Sequence, residues 1–337
     1  MAVPQKKKPN RFTAVAQPRP QTLDATPERP RRRAGFPPRY TLEVGARIGS
    51  DFTVIGHLSA GRISELYQVW SASHICALTC KILLPTFAPY SKEGRGLKRE
   101  AILLRRLAHP NIVHTFGQGI HEHRGFLVQE YLHGPSLLEL IDPSPEYQLP
   151  VPVAIKAIIH VCAALTHLHE RGYIHRDMKP ANIILRGGIP VLIDFDVAHR
   201  IKPGHKPQEC MGTDPYMAPE QCVKGELSPA TDIYGVGAVL YEMLTGRWPF
   251  EDELVNNPDH TTVENRYPQT RGSLPPRPSQ FNTQLAPPLE AVLMKCLAPR
   301  PHQRFQSVRA LAKALAGFLE GKNQLWPESL DVKAMMV

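Results

Sequence analysis

Polar and apolar positions follow two patterns along this chain. In the first third, short runs are apolar or change face every second residue. Residues 52–55 are apolar, residues 75–84 alternate, and residues 126–132 (Phe-Leu-Val-Gln-Glu-Tyr-Leu) are mostly apolar again, so each suits a strand. The last of these would be joined to a preceding strand across His121-Glu122-His123-Arg124-Gly125, with the two histidines as solvated turn residues rather than metal ligands. Between these strands, Leu97, Ala101, Leu104 and Leu107 recur at spacings of four and three, which predicts a helix over residues 93–108. Pro110 ends it, because the residue before a proline is pushed out of helical geometry. Beyond residue 150 the helical pattern dominates. Apolar positions 155, 158, 159, 162, 165 and 168 make a stripe for a helix over residues 153–170, closed by Arg171-Gly172. Residues 232–244, 289–297 and 308–319 predict three more helices, and residues 251–287 a polar, Pro-rich loop region around another.

At 337 residues, 42% hydrophobic and 21% charged, the chain has room for one large or two ordinary globular domains. Its net charge of +9 is unevenly placed. Residues 1–40 hold ten Lys or Arg and two acidic residues, so +8 lies there and the rest is near neutral. Residues 1–39 are Pro-rich and lack apolar periodicity, which predicts a disordered basic tail, since such a segment buries too little surface to offset its chain entropy. Its Lys6-Lys7-Lys8 and Arg31-Arg32-Arg33 runs are either solvated or a patch for an acidic partner, membrane or nucleic acid, with nucleic acid not the expected one. Thr22 and Thr26 in the tail are candidate self-modification sites. Residues 321–337 form a second, short tail.

The six cysteines form no Cys-x-x-Cys pair and no zinc-ligand spacing, which points to reduced thiols in a reducing cytosol. No apolar run is expected to reach the roughly 18 residues that span a bilayer, and the N-terminus lacks an apolar signal core. A cytoplasmic location is therefore expected.

The chemistry concentrates in His175-Arg176-Asp177-Met178-Lys179-Pro180-Ala181-Asn182, followed by Asp194-Phe195-Asp196 after an apolar run. One loop carries a carboxylate, a cation and an amide, and a second carboxylate follows. Phosphoryl transfer needs that set: a carboxylate to orient an acceptor hydroxyl, a cation to offset charge on the moving group, and oxygen donors for divalent metal on a triphosphate. The stretch resembles the catalytic and metal loops of the eukaryotic-like protein kinases, and Ala218-Pro219-Glu220 matches a third motif of that family.

The resemblance covers roughly residues 52–319 and implies an α+β, two-lobed fold: a small antiparallel β-rich lobe with one helix (residues 40–133) and a larger, mainly helical lobe (residues 134–320). It implies ATP and Mg2+ as cosubstrate and cofactor. Asp177 becomes the base and Lys179 the cation at the γ-phosphate, the latter pointing to Ser/Thr acceptors. Asn182 and Asp194 become the metal ligands. Lys81 becomes the lysine on the phosphates, with Glu100 as its partner. Leu58, Ser59, Gly61, Ser64 and Leu66 fall on the glycine-rich loop, although only Gly61 is a glycine. Glu130 and Leu132 would offer backbone to adenine, and Gln129, limiting the pocket, would hydrogen-bond Lys81 or Glu100. Thr213 would bond Asp177 and Lys179, Glu220 would pair with Arg304, and Asp232 would brace the catalytic loop.

Two departures stand out. Asp196 replaces a glycine that permits backbone flipping, so flipping should be suppressed while nucleotide binding persists. Residues 196–211 contain no Ser, Thr or Tyr, so no priming phosphate can form there, and Glu209 or no anion at all would satisfy Arg176. The function implied is a serine/threonine protein kinase acting on protein substrates, itself included, in a compact style that looks bacterial. The alternative is a nucleotide-binding pseudokinase or scaffold. A small-molecule phosphotransferase would lack the Ala-Pro-Glu segment.

Overall fold

The computed structural model describes residues 40–202, 204, 206–256 and 261–319. The tails expected at 1–39 and 321–337, with Thr22 and Thr26, lie outside the described residues.

The β-branched and aromatic runs of the first third assemble a six-stranded antiparallel sheet: β1 (Arg47–Ile48), β2 (Phe52–Ala60), β3 (Ser64–Ser71), β4 (Cys76–Leu83), β5 (Thr115–His121) and β6 (Arg124–Glu130). The spatial order is β1-β2-β3-β4-β6-β5. One face buries Val54, Tyr67, Val69, Cys80, Ile82 and Val128 as a small core. The hairpin between β5 and β6 is tighter than expected. Only Glu122 and His123 turn, both at positive φ (45° and 64°), and Arg124 is a buried strand residue.

Helix α1 (Lys92–Leu104) starts on Ser91, whose hydroxyl accepts the Gly94 N–H at 3.0 Å, and presents Leu97, Glu100, Ala101 and Leu104 inward. It stops four residues short of the predicted end: Arg106 and Leu107 N–H turn back to Leu103 O and Leu104 O in a tightened last turn. The remaining elements are α2 (Leu137–Ile141), α3 (Val151–Glu170), β7 (Tyr173–Ile174), β8 (Ile183–Arg186), β9 (Ile189–Leu192), β10 (His199–Arg200), α4 (Pro219–Cys222), α5 (Pro229–Thr245), α6 (Glu251–Asn256), α7 (Val263–Arg266), α8 (Pro287–Cys296) and α9 (Val308–Ala316). α5 is buried on all sides from Ala230 to Thr245, as a helix without a polar face must be. Gly246, at φ 69°, ends it in the left-handed conformation.

α3 packs against α5, α9 and β9 at the centre of the larger core. Contrary to expectation, α3 is long and apolar enough to cross a membrane, yet its apolar side chains are those of this core.

Candidate active site

β4 is flanked by β3 and β6, with Lys81 paired in register to Leu66 and Leu127. Lys81 Nζ donates to Glu100 Oε2 at 2.9 Å and to Asp194 Oδ1 at 2.7 Å. Glu100, expected as the partner of Lys81, is 1% exposed on α1. Its second oxygen accepts the Phe195 N–H at 3.1 Å, so one carboxylate fixes both the lysine and the segment after Asp194. Burial pushes the Glu100 carboxyl up, and Lys81 opposes it. Burial works against Lys81 as well, but Glu100, Asp194 and Asp196 outweigh it and hold the ammonium charged. Burial also opposes the Asp194 charge; Lys81, Lys179 and His175 overcome it and keep that carboxyl below its usual range.

Asp177 is the second focus. Lys179 Nζ donates to its Oδ2 at 2.7 Å, Thr213 Oγ1 to its Oδ1 at 2.7 Å, and Asn182 Nδ2 to its carbonyl at 2.9 Å. Lys179 also reaches Thr213 Oγ1 at 3.2 Å. Asp232, on α5, holds the loop from below: its oxygens accept the His175 and Arg176 N–H groups, each at 2.9 Å, and His169 Nε2 lies 2.7 Å away. Arg176 and Asp194 both sit at positive φ (74° and 63°), a conformation that side-chain-bearing residues keep only where surroundings impose it.

The Ile193 N–H bonds Asn182 O at 2.9 Å, which brings the Asn182 loop and the Asp194 segment together. Asn182 commits its amide N–H to Asp177, leaving its side-chain oxygen as a donor for metal. An amide oxygen and a carboxylate suit Mg2+, which takes its other ligands from water and phosphate. Among the described residues no cluster of three His, Cys, Asp or Glu offers a different metal site.

The expected glycine-rich loop is mostly strand. Leu58 and Ser59 belong to β2, Ser59 pairs with Leu66, and only residues 61–63 turn, closed by Gly61 N–H to Ser64 O at 2.9 Å. At the lobe junction, the Glu130 N–H is donated to His114 O at 2.9 Å, so of the two expected amides that of Leu132 remains for an adenine edge. The Glu130 carboxylate is clamped by Arg186 at 2.7 Å and His114 at 3.1 Å, and Arg186 also bonds Pro110 O at 2.6 Å. Neither partner carries a motif, so the clamp left no sequence signal. Gln129 does not hydrogen-bond Lys81 or Glu100; its buried Nε2 has no partner among the described residues. Its backbone pairs with Thr79 and Thr115, and no acceptor is paired with its amide nitrogen.

Glu220 and Arg304 form the expected pair, bidentate at 2.7 and 2.9 Å. Glu209 does not serve Arg176 with its carboxylate. Among the described residues the Arg176 guanidinium reaches only the carbonyls of Val197 and Glu209, each at 3.5 Å, and its Nε has no partner. Gln221, which sequence reasoning missed, donates to Arg176 O at 2.9 Å and Met211 O at 3.0 Å and so ties the two loops.

Comparison with known proteins agrees with this arrangement. Residues 52–315 match the protein kinase domain family. The chain is 31% identical over 281 residues to the serine/threonine-protein kinase Pkn1 of Myxococcus xanthus, covering 81% of this chain and 38% of that one. It is likewise 31% identical to the serine/threonine-protein kinase PknB of Mycobacterium leprae, covering 81% of this chain and 44% of the other. The chain thus spans less than half the length of these relatives. The crystal structure of the Mycobacterium tuberculosis PknI kinase domain superposes with a TM-score of 0.63 at 26% identity, covering 82% of this chain and 99% of that one. With its lysine, helix glutamate and paired aspartate loops assembled in one cleft, the chain belongs to the protein kinase family, with bacterial eukaryotic-like serine/threonine kinases as its relatives.

Proposed function

We propose that the chain is a serine/threonine protein kinase that moves the γ-phosphoryl group of ATP to protein hydroxyls. The observation that carries this reading is Lys81 bridging Glu100 and Asp194, residues 19 and 113 positions away in sequence. A lysine held by two carboxylates is oriented before nucleotide arrives, so little reorganisation is left for the reaction.

Asp177 is the group that accepts a hydrogen bond from the acceptor hydroxyl and takes its proton. Thr213 and Lys179 fix the carboxylate, and Lys179 places positive charge where the transferred group acquires negative charge. Asn182 and Asp194 are the residues for Mg2+, which when bound would neutralise the triphosphate oxygens. Ser/Thr acceptors follow from Lys179 and from the names of the relatives; the protein substrate is not specified by this site.

The test is transfer of labelled γ-phosphate to the chain itself or to a generic basic protein. Asp177→Ala should lower transfer by about 10²- to 10⁴-fold, the usual weight of a positioned base. Transfer equal in the two would refute the assignment. The pseudokinase reading is favoured by Ser59 and Ser64 in place of loop glycines. It predicts nucleotide binding with no Asp177-dependent transfer.

A further inference from the structure

Glu65 is fully buried, 0% exposed, at the second position of β3 beyond the Gly61–Ile63 turn. A buried carboxylate must be matched by donors, and four converge on it. Thr41 N–H donates to Oε1 at 2.8 Å, and Thr41 Oγ1, Tyr67 OH and Arg124 reach Oε2 at 2.6, 2.9 and 2.7 Å. Two of the four come from one exposed residue, Thr41, on the segment preceding β1. That segment is fastened at its other residues too. Tyr40 stacks on His57 with ring centroids 4.2 Å apart and an 8° interplanar angle, His57 Nε2 lies 2.8 Å from Leu42 O, and Leu42 N–H donates to Tyr67 OH at 3.0 Å. Residues 40–42 therefore strap both strands of the β2–β3 hairpin.

Strand geometry says what the strap holds. Glu65 pairs with Ile82, on the buried face of the sheet. Its neighbours Ser64 and Leu66 face the opposite way. Leu66 pairs directly with Lys81, so that opposite face is the one that carries Lys81 into the site. Arg124 completes the connection. It donates to Leu83 O at the end of the Lys81 strand and to Thr41 Oγ1 at 2.8 Å, besides pairing with Glu65. The knot thus sits behind the turn and behind the lysine at once. Burial pushes the Glu65 carboxyl up, yet Thr41, Arg124 and Tyr67 outweigh it and keep it below the usual range, so the knot is built around the anion.

We propose that Thr41 and Glu65 are positioning residues for nucleotide: the strap at residues 40–42 fixes the loop at 59–64 from behind, and the Thr41 hydroxyl sets how tightly that loop closes on phosphate. The loop has serines where glycines would let backbone settle on phosphate unaided, so its placement depends on this external anchor. The inference rests on the nucleotide-binding reading given above.

The experiment uses the full chain and its Thr41→Val and Thr41→Ser variants. Binding of ADP with Mg2+ is measured by calorimetry, and hydrogen exchange of amides 59–64 is followed without nucleotide. Thr41→Val should weaken ADP binding about five- to tenfold, the order of one typical hydrogen bond lost. It should raise the KM for ATP with kcat within twofold, and speed exchange at 59–64 while α3 and α5 keep their protection. Thr41→Ser should restore all three. The proposal is overturned if Thr41→Val binds ADP like the natural chain, if Thr41→Ser fails alongside it, or if α3 and α5 lose protection in step with the loop. Should the natural chain bind no ADP, the kinase reading fails, and exchange at 59–64 still decides whether the strap holds the loop.

Discussion

The carboxylate of Glu209 lies on Lys92, the first residue of α1: Lys92 Nζ stands 2.6 Å from both of its oxygens. The sequence left two readings for Arg176, this anion or none at all, and the carboxylate is engaged by Lys92 instead. The pair links the segment between Phe195 and Gly212 to the helix that carries Glu100, so a fixed acidic residue ties that segment to α1 without a phosphate. Both side chains are more than half exposed (61% and 54%), so the link is weak and is screened by salt. Glu209→Ala and Lys92→Ala should each lower kcat/KM two- to fivefold, and the double variant should be no worse than either. Additive losses in steady-state assays, or an unchanged rate for Glu209→Ala, would sink the link.

Asp196 stands where the family has a glycine, but it does not use a glycine's freedom. The positive φ in this segment belongs to Asp194, and Asp196 is not among the residues at positive φ. Burial, and then the Asp194 charge, push its carboxyl up. Asp196→Gly should therefore leave the ground-state geometry intact and cost about 0.5–1 kcal/mol of stability through added chain freedom. Turnover should change by less than about fivefold. A rise of orders of magnitude, measured by labelled phosphate transfer, would mean that the natural residue is inhibitory.

What could be read from sequence was whatever the chemistry confines to short, fixed offsets. Asp177, Lys179 and Asn182 lie within one loop, and Asp194 follows a strand of set length, so their meeting was legible. Lys81 and Glu100 required the family pattern, because a strand lysine and a helix glutamate have no local signature. The Glu65–Arg124 and Glu130–Arg186 pairs were invisible. Their partners are 59 and 56 residues apart, and Arg124 sat in what looked like a turn. Burial of a charge depends on what folds over it, and that information is not in the neighbouring residues. The Gln129 contact was expected from position alone, and the amide found no acceptor.

Arg304 is 2% exposed and holds Glu220 with two hydrogen bonds while also serving the carbonyls of Ala298, Ala230 and Pro299. Removing one partner of such a pair strands the other charge. Arg304→Met should cost about 3–5 kcal/mol in urea unfolding, and a Glu220→Leu/Arg304→Met double variant should recover only part of that, since three carbonyls still lose their donor. Full recovery would mean that the carbonyl bonds contribute nothing, and a loss below about 1 kcal/mol that the pair is not buried in solution.

The rings of His109 and His167 lie 5.0 Å apart, tilted by 43°, beside His160 and Arg171. Burial lowers both, and for His109 the neighbouring positive groups His167, Arg171 and His160 add to it; for His167 Arg171 adds and Glu170 opposes. Above the ordinary value of 6.5 both the folded and unfolded chains hold these rings neutral. Below it the unfolded chain takes up protons that the folded one refuses, so stability falls as pH drops from 6.5 towards the folded values. The depressed carboxylates, such as Asp194 and Glu65, act lower, as pH falls through and below their ordinary values of 3.8 and 4.5. The raised Glu100 and Asp196 carboxyls titrate in the same window with the opposite sign, so the histidines are read from a difference: between pH 7.5 and 5.5 the urea midpoint of the natural chain should fall relative to that of His167→Phe. Equal slopes would remove the histidines from the account.

Gln129 carries a buried amide nitrogen with no acceptor, and its residue is 7% exposed between Thr79 and Thr115 on the neighbouring strands. Leaving such a donor unmade costs about 1–3 kcal/mol, whereas an apolar side chain of similar length has nothing to satisfy. Gln129→Met keeps the volume and removes the donor, so it should raise the unfolding free energy by about 1 kcal/mol. The residue lies two positions from Leu127, the cross-strand partner of Lys81, and its amide nitrogen makes no hydrogen bond among the described residues, so the KM for ATP should hold within about twofold. A lower midpoint for Gln129→Met would show that the amide finds a partner in solution, and a large change in KM would show that nucleotide is that partner.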